Sequence, residues 1–162
     1  MTVEAISLEH PVLAAREGEA PVTTRPNHDL AFPHQQLTQI APVALQDVLV
    51  ARAATLPHVV LGASCVSVPG SRAFRLEEEA AAGPAAAFQC GTEFAHVHPP
   101  GDGSLHLALA PAVHAEVLAK GWGEPHPISG TMLLFGPRDR RELETVWQVL
   151  LSSYRFALGE VA

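Results

Sequence analysis

The sequence predicts an α+β domain: a mostly antiparallel sheet with helices packed on one face, preceded by an extended N-terminal arm. Three observations predict it. Apolar residues recur at helical spacing near both ends of the domain, and short runs of Val, Phe and Leu broken by Pro and Gly fill its middle. The chain's 162 residues, 48% of them hydrophobic, suit one core rather than two.

In chain order, residues 1–40 carry Pro11, Pro21, Pro26 and Pro33 among scattered charges with no lasting apolar period. They read as an extended arm, poorly ordered before about residue 25, and residues 41–162 as the single domain. Pro42 suits a first helical position, and Leu45, Val48, Leu49 and Leu56 follow before Pro57 ends the run. Strands are expected at 59–61, 65–68, 73–76, within 87–98 and at 104–109, with 77–86 a solvated loop or single helical turn. Pro111 opens a short helix through Val113, Val117 and Leu118 that Gly121 caps. A connector over 122–130 leads to a strand at 131–135. Asp139 with Glu142 three residues on then starts a helix whose stripe runs Leu143, Val146, Trp147, Leu150, Leu151, Tyr154 and Leu158, and Gly159 ends it.

Composition excludes several functions. Ten Lys and Arg against 17 Asp and Glu give a net charge of −7, so no basic surface gathers phosphate backbones, and nucleic acid is not an expected partner. Residues 53–71 lack charged side chains but are broken by Pro57, His58 and Pro69, so no membrane span is expected. Met1 to Ala5 do not begin a signal peptide, and Cys65 and Cys90 form no Cys-x-x-Cys pair. A reduced, cytoplasmic protein is the expectation, with a Cys65–Cys90 bridge open to it if exported. Gly-x-Ser-x-Gly elbows and Gly-rich phosphate loops are absent.

Chemistry concentrates in the histidines. Of nine, His96, His98 and His106 fall within eleven positions. Residues two apart on a strand share a face, so His96 and His98 point together, away from Ala95 and Val97. With residues 99–103 as a hairpin loop, Ser104 lies opposite His98 and His106 opposite His96. Leu105, Leu107 and Leu109 take the helix-covered face, which leaves the histidines on an open or groove-lining one. Such a face can ligate a single divalent transition metal through His96, His98 and His106, or move protons near neutral pH. Its histidines can equally be structural, bonded to a carbonyl or to a carboxylate such as Asp102. Glu93 has the parity of the opposite face. His126, between Pro125 and Pro127, is aimed by a stiff backbone beside Trp122. His114 falls on the outward side of its helix, and it, His10, His28, His34 and His58 are expected to be solvated.

These residues carry a resemblance. The runs Glu93-Phe94-Ala95-His96-Val97-His98, Gly103-Ser104-Leu105-His106-Leu107-Ala108-Leu109, Lys120-Gly121-Trp122-Gly123-Glu124-Pro125-His126-Pro127 and Gly136-Pro137-Arg138-Asp139 resemble the fungal-type luciferase domain and its bacterial relatives. The resemblance spans about residues 88–157. It implies an oxygen-dependent activity on an aromatic pyrone of the hispidin type, without metal or organic cofactor. A small-molecule, aromatic ligand and molecular oxygen are then the partners. A cofactor-free oxygenation needs a base for an enol, for which His96 or His106 stands, and donors for the developing peroxide, for which His98 and Ser104 stand. Trp122, His126, Glu93 and Arg138 complete the ligand-binding set, Arg138 as partner of a substrate carboxylate or as a helix cap. A non-catalytic domain that binds a small ligand or a protein, and a metal-dependent enzyme, are the alternatives.

Overall fold

The structure, a computed structural model, describes residues 10–30 and 32–161. Six antiparallel strands form one sheet: β1 (Val59–Ala63), β2 (Arg72–Leu76), β3 (Glu93–Val97), β4 (Leu105–Leu107), β5 (Gly123–Pro125) and β6 (Met132–Leu134), in the order β1-β2-β3-β4-β6-β5. Helices α1 (Val43–Ala54), α2 (Pro111–Ala119) and α3 (Arg140–Ala157) cover one face. The α+β class holds. Asp139 caps α3 by accepting from the Glu142 amide, as its spacing predicts. Leu143, Val146, Leu150 and Tyr154 of α3 are buried in one core with Phe74, Phe94, Leu107 and Met132 from the sheet. Burying each such large side chain contributes roughly 1.5–3 kcal/mol, and the core fixes the sheet that carries the histidines.

Three elements differ from expectation. Residues 65–68 form bends rather than a strand, because Cys65 is joined to Cys90 and its amide is turned onto the Glu93 carboxylate. The cysteines expected to be reduced are thus bonded, closing a 25-residue span. β5 lies within the expected connector; three residues with Pro at the end carry no readable period, yet they pair with β6 from Gly123 opposite Leu134 to Pro125 opposite Met132. Residues 1–9, part of the expected arm, lie outside the described residues. From residue 10 the arm is extended but packed: the Leu13 amide donates to Glu116, Trp122 Nε1 donates to the Ala14 carbonyl, and Thr23 bridges Gln36. No described helix is long and apolar enough to cross a membrane.

Candidate functional site

The face away from the helices is organised by register. Ala73, His96, His106, Leu133 and Glu124 form one row across β2, β3, β4, β6 and β5. The hairpin places His96 opposite His106, and the His98 amide donates to the Ser104 carbonyl, both as the spacing predicts. One residue departs from strict alternation. Ala95 lies opposite Phe74 but Glu93 lies opposite Arg75, so Phe94 is an extra residue in β3. That bulge sends Phe94 into the core and turns Glu93, expected on the opposite face, towards the histidines. Its Oε1 lies 2.9 Å from His96 Nδ1. The turn before β4 supplies a second carboxylate: Asp102 Oδ2 lies 3.0 Å from His98 Nδ1. Gly103 makes that turn possible, with φ +70° and no room for a Cβ, which would meet Gln46 Nε2 at 2.5 Å.

Hydrogen-bond roles follow from acceptor chemistry. A carboxylate only accepts, so His96 Nδ1 carries the hydrogen it shares with Glu93. Its Nε2 is buried and has no partner. The Ser104 hydroxyl donates to Asp102 and so accepts from His98 Nδ1 at 2.9 Å, leaving His98 Nε2 with a lone pair. His34 Nε2 donates to Glu124 at 2.7 Å, which makes its Nδ1 the acceptor for His106 Nε2 at 3.1 Å. The relay Glu124–His34–His106 leaves His106 Nδ1 without a hydrogen. His126 closes the cluster edge-on to His34, and its Nδ1 accepts from the Ile128 and Ser129 amides.

Charge is distributed unusually. Burial lowers the His96 and His34 pKa values, and, with neighbouring histidines, puts His106 well below the ordinary imidazole value, so these rings are neutral near pH 7. Burial raises the Glu93 and Asp102 pKa values, but hydrogen bonds from His96, the Cys65 amide and Ser64 in one case, and from His98 and Ser104 in the other, lower them more. Both carboxylates are therefore ionised while buried. The histidines line a cavity of about 820 Å³, within the usual range for small-ligand sites. Phe32, Pro33, Val66, Phe88 and Leu109 give it apolar walls.

The structure brings together His96, His98, His106, Ser104 and His126 and, against its expected parity, Glu93. Ser104 is not free to donate to a ligand, since its hydrogen goes to Asp102. Trp122 and Arg138 lie elsewhere: Trp122 is in the core, and Arg138 binds Glu142 and the Glu17 carbonyl. His34, expected to be solvated, is 2% exposed, and His114 lines the cavity. A signal for His34 exists: His34 and Gln36 alternate inward along the arm, but both are polar, and apolar periodicity passes over them. Glu124 carries no signal of its own, because the three residues of β5 show no readable period.

Comparison with known proteins agrees with the resemblance. Residues 91–153 match the family model described as Luciferase domain. The chain is similar to luciferases of Armillaria ostoyae and Neonothopanus nambi, 35% identical over 79 residues in each case. The alignments cover 43% of this chain and 30% of each relative, so the chain matches under a third of those proteins' length. No solved structure matches.

Proposed function

From a chain related through residues 91–153 to the luciferase-domain family, we propose a small-molecule enzyme that adds molecular oxygen to an enolisable aromatic ring of the pyrone type. One observation carries the reading: His96, His98 and His106 line a cavity of about 820 Å³, and the buried Nε2 of His96 has no hydrogen-bond partner. A planar substrate held between the apolar walls meets acceptors, and an enolic hydroxyl is the group that supplies a hydrogen to one. His96 or His106 takes the enol proton; the electron pair so released forms a carbon–oxygen bond to dioxygen, which is reduced to the peroxide level, and the proton returns from imidazolium to peroxide. The Glu93 and Asp102 carboxylates steady the cationic ring between the two transfers. No organic cofactor is needed for this sequence.

The test is oxygen consumption with 4-hydroxy-2-pyrones bearing an aryl-alkenyl substituent. Uptake is expected with the wild type and a fall of about 10²–10⁴-fold in His96→Ala or His106→Ala, the range a positioned base contributes. Absence of uptake with every enolisable pyrone, alongside saturable binding of one of them, would make this a ligand-binding domain instead.

A further inference from the structure

We propose that His96, His98 and His106 bind one divalent transition-metal ion, with an open coordination position facing the cavity. The three residues each bring one ring nitrogen within 4.8 Å of the others. Points no farther apart than that share a centre about 2.8 Å from each, and ring movements of about 0.7 Å reach the 2.0–2.1 Å typical of metal–imidazole bonds. The hydrogen placement already suits ligation. His96 directs its N–H to Glu93, and His98 directs its N–H to the Ser104 hydroxyl, which donates on to Asp102; each keeps Nε2 free, and binding through His106 Nδ1 leaves the His34–Glu124 relay intact. Carboxylate partners that fix ring orientation and basicity are the usual outer support of metal-bound histidines.

One further observation calls for a cation: His96 Nε2 is a buried acceptor with no donor, and one substrate hydroxyl has a single hydrogen for three lone pairs. Imidazole ligands favour Zn, Fe, Ni or Cu over Mg or Ca. The overlapping trio His34, His106 and His126 is a poorer site. Both His34 nitrogens are engaged, and His126 Nδ1 accepts from two amides, which puts the ring hydrogen on Nε2, so neither ring offers a lone pair without breaking bonds.

This inference does not rest on the oxygenase reading: a bound metal takes the lone pairs that reading gives to the base, and its readouts involve no turnover, so the two are tested separately. Untagged full-length protein is stripped with chelator, then titrated with Co²⁺ and Zn²⁺ while calorimetry and the cobalt visible spectrum are recorded. One ion per chain is expected, with a nitrogen-ligated cobalt spectrum, loss of both signals in His96→Ala/His98→Ala, and no change in His126→Ala. Glu93→Gln, which keeps the ring hydrogen-bonded, weakens binding by roughly 10–100-fold and serves where the double variant fails to fold. No stoichiometric uptake by folded wild type overturns the proposal. So does uptake that survives the double variant, which marks exposed histidines as the ligands, or uptake lost in His126→Ala.

Discussion

Two parts of the molecule bury ionised carboxylates, and they compensate them differently. Where the arm meets the start of α3, Glu142 binds Arg138 through both oxygens, at 2.9 Å and 2.6 Å, while Arg16 and Arg138 both bond Gln39. On the histidine face, Glu93 and Asp102 meet imidazole rings and a cavity. The first arrangement is closed: its carboxylate is paired with a guanidinium and its donors reach the arm's own carbonyls, which holds residues 16–39 against the domain. The second is open, with acceptors left over. A carboxylate answered by a guanidinium holds a fold together, whereas carboxylates answered by imidazoles and hydroxyls beside a cavity are poised for something that binds.

The largest effect expected is at the turn that builds the open cluster. Gly103→Ala places a Cβ 2.5 Å from Gln46 Nε2 at φ +70°, and Gln46 there bonds the Ala41 and Pro100 carbonyls. A loss of about 3 kcal/mol is expected from strain and displaced bonds together, read by urea unfolding, with Asp102 and Ser104 shifted from His98. Glu142→Gln comes next. It leaves two guanidiniums without their carboxylate and costs about 2 kcal/mol, or a Tm lower by roughly 4–8 °C for a chain of this size, while oxygen uptake by the folded fraction stays at the wild-type level. Uptake that collapses with the clamp would erase the distinction between the two regions. Glu93→Gln inverts the pattern: stability changes by about 1 kcal/mol or less, because the amide oxygen still accepts from His96, and function suffers instead.

The contrast also explains what was legible in the sequence. The α3 stripe, its Asp139 cap and the His96–His106 register follow from apolar period and turn length, which are local. Glu93 was misplaced because a bulge at Phe94 shifts alternation by one, and nothing in a run of five residues announces where a strand takes an extra residue. His34 and Glu124 were missed because they join the site through a polar arm and a three-residue edge strand, neither of which carries an apolar signature. Arg138 was open between a substrate carboxylate and the cap of α3, and its partner lies one helical turn ahead, at Glu142. What periodicity encodes is the core; the polar shell is written in long-range pairings.

The smallest effect expected is a pH dependence that isolates the closed region. Burial raises the Glu142 pKa, but hydrogen bonds from the Arg138 side chain and amide outweigh it, so the folded carboxyl titrates below its ordinary range. A folded pKa below the unfolded one means that the unfolded chain binds more protons in the interval between them, so stability climbs with pH through that interval. The clamp's contribution is complete above the unfolded value of about 4.3 and is lost as pH falls through the folded one. Unfolding free energies of wild type and Glu142→Gln should therefore differ by a constant from about pH 5 to 8 and converge below about pH 4. A gap that instead closes as pH rises towards 8 would mean that Glu142 is not held by its arginine, and that the clamp is no more closed than the histidine face.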